Sequence, residues 1–217
     1  MSLRIQPRQW QRYWQDSSLL EHASIAAFSR FVLDLMSLGA PARLVEDATT
    51  AMLDESAHAR ACFSLASTFA GQPRGPSRLD VTGSLDQRDL RDIVVTAVLE
   101  GCIGETVAAL EAAEALEHAS DPAVRWALTR IAEDELRHAA LAYRFVHWAV
   151  AAHGPALARE VQATFDAVLQ AQQALPDGPE TASVPSHGLL SAAHRWELRA
   201  RVLHELVAPS LPALLAA

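Results

Sequence analysis

The chain predicts an all-α fold, a four-helix bundle with additional helices at its C-terminal end. Three observations predict it. Apolar residues recur at helical spacing through long alanine-rich segments. Glycine and proline stand between those segments and almost never inside them. Finally, two stretches, roughly 17–70 and 85–153, read as one helical hairpin repeated, each carrying the phrase D-E-x-x-H-A on its second helix.

Asp16-Ser17-Ser18 offers an N-cap for a first helix bearing Leu19, Leu20, Ile25, Phe28, Val32 and Leu35, and Gly39-Ala40-Pro41 stops it. Residues 1–16 then form an N-terminal docking segment, with Trp10, Tyr13 and Trp14 as its patch. A second helix covers about 42–70, ended by Gly71-Gln72-Pro73. The segment 71–83 is the long connection between the two hairpins. A third helix covers about 85–119. Ser120-Asp121-Pro122 caps a fourth, which reaches His153 and breaks at Gly154-Pro155. Beyond it, 155–217 holds accessory helices at about 156–175 and 190–207. Between these lie Pro176-Asp177-Gly178-Pro179 and a mobile stretch to His187. The whole chain is read as a single domain, with 17–153 as the bundle.

Composition narrows the function classes. Half of the 217 residues are hydrophobic and 20% are charged, which suits a buried core and not a disordered chain. A net charge of −8 argues against a nucleic-acid surface. Arg195, Arg199 and Arg201, interleaved with Glu197 and Glu205, read as a solvated helix face. Cys62 and Cys102 make no disulfide framework and read as small buried hydrophobes. The N-terminal residues lack a signal-peptide pattern, and no charge-free stretch of ~20 apolar residues is present. The expectation is a soluble cytoplasmic protein without a membrane span.

The chemistry is concentrated in Asp54-Glu55-Ser56-Ala57-His58-Ala59 and Asp134-Glu135-Leu136-Arg137-His138-Ala139. A carboxylate and an imidazole at i and i+3 project from one helix face. Two such helices facing each other aim two carboxylates and two imidazoles at one point. Carboxylates buried there without a cation would cost several kcal/mol each, and a metal pair removes that cost. Each Glu-x-x-His helix should be preceded, one hairpin earlier, by a helix with a single Glu. Before Glu55 that residue is Glu21. Before Glu135 the candidates are Glu105 and Glu100. The apolar stripe Leu90, Val94, Val98, Gly101, Glu105, Ala108, Ala112 favours Glu105. Glu100 is left as a nearby carboxylate, a proton carrier or an ion-pair partner. A π-bulge allowed by Gly101 and Gly104 would re-aim it.

The order Glu, Glu-x-x-His, Glu, Glu-x-x-His resembles the ferritin-like di-iron carboxylate superfamily, which includes rubrerythrins, ferritins, ribonucleotide reductase small subunits, methane monooxygenase hydroxylases, arylamine N-oxygenases and a tRNA hydroxylase. The resemblance covers about 17–153 and supplies all six expected ligands: Glu21, Glu55, His58, Glu105, Glu135 and His138. It implies a ferritin-like bundle, two iron ions (or manganese) bridged by Glu55 and Glu135, and dioxygen as co-substrate. It also implies that Asp54 orients His138 and Asp134 orients His58. The expected activity is that of a di-iron oxidase or oxygenase acting on a small or carrier-tethered organic substrate. No C-x-x-C pair supplies an electron-transfer module, so an external electron donor is expected. A homodimer is compatible with the chain. The competing expectations are an iron-handling protein, either ferroxidase or peroxide scavenger, and a non-catalytic scaffold. Ser24, Ile25, Phe28, Ala108, Ala109 and Ala112 would line the space beside the site. His22, Tyr13, Tyr143 and His187 are given no role in the site, and Glu111, Glu114 and Glu117 read as a solvated stripe.

Overall fold

The computed structural model describes residues 8–172 and 183–216. Within them the protein is all-α, with six helices and only one isolated bridge, Val184 to Leu189. Helix α1 (Arg8–Ser37) turns at Gly39, whose φ of 65° suits glycine, into α2 (Ala42–Ala70). Helix α3 (Leu90–His118) follows an irregular connection over 71–89. Helix α4 is Pro122–His153, α5 is Pro155–Ala171, and α6 covers 192–215. Helices α1 and α2 pack along each other, as do α3 and α4, and α2 meets α4 to join the pairs. Helix α5 leans on α3 and α4, while α6 packs on α3 and α4.

Capping sets most boundaries. Asp121 accepts from the backbone N–H groups of Ala123 and Val124, with Pro122 in the first turn, and starts α4 where the sequence predicts. Asp89 accepts from Asp92 N–H, so α3 begins at Leu90 and not near 85. The expected start of α1 needs a larger correction. The helix runs unbroken through Asp16-Ser17-Ser18, and Ser18 Oγ donates to the Gln15 carbonyl one turn back instead of capping. The proposed docking segment is therefore, from Arg8 on, the first turns of α1. Its Trp14 is fully buried and donates to the His187 carbonyl, on whose ring Trp10 stacks. That contact holds the 3₁₀ turn Pro185–His187, so this end of the expected mobile stretch is docked. Residues 173–182, including Pro176-Asp177-Gly178-Pro179, lie outside the described residues, as do 1–7. Helix α6 also continues past the expected end at 207, through a π turn (Leu203–Val207) to Leu215.

Helix α3 has the length and apolar composition to cross a membrane. Much of that apolarity is used inside the protein: Ile93, Val94, Val98, Cys102 and Ile103 are buried. The middle of α3 is π-helical, from Ala97 to Glu105. Gly101 allows the close approach to α4, since a Cβ there would lie 2.4 Å from Ala142 Cβ. Two apolar clusters form the core. One gathers Phe28, Leu35, Ile93, Phe145 and Phe165, and the other Trp14, Cys62, Leu65, Val124 and Leu128. In sequence position along α2 and α4, a layer of charged residues separates them.

Gly101→Ala should cost about 1–3 kcal/mol, the usual scale of overpacking, and should displace the π segment that carries Glu105. Thermal unfolding together with metal content checks it. An unchanged Tm with unchanged metal binding would contradict the close-approach account.

Candidate metal centre

Four helices contribute to the charged layer: Glu21 from α1, Glu55 and His58 from α2, Glu105 from α3, and Glu135 and His138 from α4. Donor atoms of Glu21, Glu55, His58 and Glu135 lie within 4.8 Å of one another, and so do those of Glu105, Glu135 and His138. The two groups share Glu135. All six residues singled out from the sequence are thus brought together, and Glu105 rather than Glu100 reaches the cluster. Glu100 is exposed and lines a cavity beside it.

The imidazoles are oriented by the aspartates of the opposite repeat. His58 Nε2 lies 2.9 Å from Asp134 Oδ2, and His138 Nε2 lies 3.4 Å from Asp54 Oδ2. If each Nε2–H donates to its aspartate, each Nδ1 presents a lone pair to the carboxylates. Glu55 reaches both rings, with Oε1 3.1 Å from His138 Nδ1 and Oε2 3.9 Å from His58 Nδ1. Glu135 does the same, at 3.3 Å and 3.7 Å. Glu21 stands at one end only, 3.4 Å from His58 Nδ1. Two carboxylates therefore span both imidazoles, and two others flank them.

Arg130 and Arg137, which the sequence reading did not single out, close this layer on its outer side. Arg130 Nε donates to Asp134 at 3.0 Å. Arg137 pairs with Asp54 at 3.1 Å and also with Asp134. They sit at i−4 and i+3 from Asp134, spacings at which a charge pair on a helix is ordinary. The only signal available was the Arg inside D-E-L-R-H.

Buried charge perturbs every proton in the cluster. Burial raises Glu55 first, against its His138 hydrogen bond and with help from the Glu135 and Glu21 charges, to about 7. Glu105 is pushed well above the carboxylate range by burial and then by Glu135, to which its protonated carboxyl donates. Glu135 is held low: burial opposes this, but hydrogen bonds from Glu105 and His138 outweigh it. Burial would lower both histidines, yet the carboxylates around them win, raising His58 to about 9 and His138 to about 10. Protons alone do not complete the site. Glu55 Oε2 and His58 Nδ1 are buried with no hydrogen-bond partner among the described residues, and they face each other. Buried polar atoms are normally paired, and a cation between them would satisfy both. The residues present therefore fit a metal.

Other sequence expectations divide. Ser24, Phe28 and Ala108 line the neighbouring cavity, whereas Ile25, Ala109 and Ala112 are not in its wall, and Ala109 and Ala112 are buried in packing. Glu111 and Glu114 are not a solvated stripe. Glu111 is half-buried and raised by burial, and Glu114 bridges to α6 through His194 at 3.0 Å and Arg201 at 3.6 Å. Arg199 donates to Gln172 and is half-buried, as is Arg195, whereas Arg201 is exposed as expected. Cys62 and Cys102 are buried free thiols outside the ligand groups, as expected. Comparison with protein-family models, curated proteins and solved structures found no match to this chain.

Metal uptake must displace protons from His58, His138 and Glu105, because a metal ligand is bound deprotonated. At pH 7 both histidines lie below their folded pKa values and carry protons. Divalent metal affinity should therefore rise steadily from pH 6 towards the His58 value of about 9. Calorimetric titration in buffers of differing ionisation heat should record proton release, and pH-independent affinity without release would contradict this. Asp54→Ala and Asp134→Ala should each weaken metal affinity ~10–100-fold while preserving helicity. Unchanged affinity in both would reduce these aspartates to ordinary ion-pair partners.

Proposed function

We propose that this protein is a ferritin-like four-helix di-metal protein, working as a di-iron oxidase or oxygenase on a small organic molecule. One observation carries the reading. Glu55 and Glu135 each extend one oxygen towards each of two imidazoles, in a buried layer whose Glu55 Oε2 and His58 Nδ1 lack partners among the described residues. Four helices with a Glu on two of them and Glu-x-x-His on the other two is the ligand plan of such bundles. Carboxylate-rich donors with one imidazole per metal suit iron or manganese better than softer-ligand metals. Glu55 and Glu135 would bridge. Glu21 and His58 would complete one position, and Glu105 and His138 the other.

Glu21, Glu55, His58, Glu105, Glu135 and His138 would hold the iron, whose chemistry when bound would be the reduction of dioxygen with electrons from an external donor. The chain's own residues do the rest. Asp134 and Asp54 hold the imidazole Nε2–H groups, keeping each Nδ1 turned inward. Arg130 and Arg137 fix those aspartates. Glu105, on the cavity wall, can carry a proton at its carboxyl oxygen between the cavity and Glu135. Phe28 packs edge-on to His138, with ring centres 5.0 Å apart, and limits water on that side.

The cavity supports organic oxidation over iron handling. It measures about 570 Å³, touches Glu105 and His138, and is large enough for a small-molecule ligand. A ferroxidase needs only a passage for ions.

Anaerobic Fe(II) loading, then dioxygen, followed by Mössbauer spectroscopy and oxygen uptake, tests the proposal. About two Fe(II) should bind per chain in one coupled site, and oxidation should stop at those ions. Glu135→Ala should lose most of the iron while keeping its helicity. Continuing oxidation of added Fe(II) with ferric mineral would favour iron handling. Full iron binding by a Glu55→Ala, Glu135→Ala double variant would sink the metal assignment.

A further inference from the structure

We infer that the cavity between α1 and α3 binds an elongated amphipathic organic anion, its charged head at Arg30 and Arg88 and its apolar body running beside Glu105 and His138. This deepens the oxidase or oxygenase reading and rests on it for the reaction, but not for the binding itself.

Shape is the first argument. The α1 wall runs along one helix face from Ser24 through Phe28 and Phe31 to Asp34, about 15 Å at ~1.5 Å per residue. The α3 wall faces it in the opposite direction. Ala108 lies just past the cluster, Gly104, Gly101 and Ala97 follow, and Thr96 and Arg88 reach the Asp34 end. The alanines and glycines leave a slot instead of a filled core. Leu141 and Ala142 of α4 form its floor. A compact or highly polar molecule would leave most of this surface unmatched.

Charge is the second. Arg30 and Arg88 are only 14% and 26% exposed, and both bond to one carboxylate, Asp34, itself 7% exposed. Their remaining bonds go to neutral acceptors. Arg30 donates to the carbonyls of Gly83, Ser84 and Asp86, and Arg88 to the Asp92 carbonyl and the Thr96 hydroxyl. Two guanidiniums thus share one carboxylate in a largely enclosed place, and among the described residues no second carboxylate comes within ion-pair distance of either. A half-buried charge of that kind is costly until paired, and a carboxylate is its matched partner. Arg88 lines the slot and has Asp34 as its one carboxylate partner among the described residues, so its guanidinium is the group a ligand carboxylate would meet. Glu100 and Glu105 stand along the middle of the slot, so an anion is directed to the arginine end and the apolar part is left beside the cluster.

Binding of ten-carbon probes to the metal-free protein, followed by calorimetry below their micellar concentrations, tests this. Decanoate should bind at least 10-fold tighter than decan-1-ol, and decylammonium weakest. Arg88→Ala should remove the preference for the acid over the alcohol. Since Arg88 also ties the 71–89 connection to α1, Ala108→Leu gives a separate reading. It shortens the apolar end, so the preferred acid should shift from decanoate towards octanoate while the acid–alcohol preference stays. Equal binding of acid, alcohol and amine, tighter binding of decylammonium, or no binding by protein of native helicity each overturns the proposal. With no metal present, these results stand apart from the di-iron test: a dead metal site leaves the slot intact, and an empty slot leaves the metal site intact.

Discussion

Four carboxylates and two imidazoles share a small volume between two apolar clusters, and the protein must supply or import enough positive charge to keep them there. Everything near the layer answers that demand. The Asp54 and Asp134 contacts orient the two imidazoles, and two arginines on α4 offset the aspartates from outside. Without a cation, protons fill the gap, which is why the histidines and Glu105 hold theirs so far above ordinary values. A metal cation held there would replace those protons and also satisfy the buried Glu55 and His58 atoms that have no partner among the described residues. Such a layer is a poor way to stabilise a core, because a well-packed apolar substitute does as well or better. It is a good way to hold metal.

The third helix shows how the site and the space beside it are built by the same residues. Bonding of the i to i+5 kind over Ala97–Glu105 widens the helix where it carries Glu105. Gly101 lets this swollen segment lie against Ala142 without collision. The same small residues leave α1 and α3 apart, so a slot opens directly onto one side of the cluster. Arg30, through the Gly83 carbonyl, and Arg88, through Asp34, then tie the 71–89 connection to α1 across its far end.

Much of this was legible because the ligand phrase is local. Glu and His three apart on a helix need no tertiary knowledge, and the repeat with Asp in front points to both the ligands and their hydrogen-bond partners. Glu105 over Glu100 came from an apolar stripe read at α-helical spacing. Glu105 is the one that lies beside Glu135 and His138 although the helix is π-helical there, with Val98 and Gly101 on the inner side. What escaped was long-range. Arg130 and Arg137 look like surface residues until α2 is placed beside them. Arg30 and Arg88 gain meaning only when a connection 50 residues away in sequence folds over α1. The start of α1 was misread for a local reason: Asp16-Ser17-Ser18 has capping chemistry, but burial of Trp14 and Ser18 against the rest of the protein carries the helix through it.

The central claim is that this layer holds two metals shared by Glu55 and Glu135. Anomalous diffraction at the iron edge, on crystals loaded with Fe(II), addresses it most directly. The account predicts two peaks ~3.5–4 Å apart, the usual spacing of a dinuclear site, one beside His58 Nδ1 and one beside His138 Nδ1, with oxygens of Glu55 and Glu135 reaching both. A single peak elsewhere, or none at saturating iron, would contradict it.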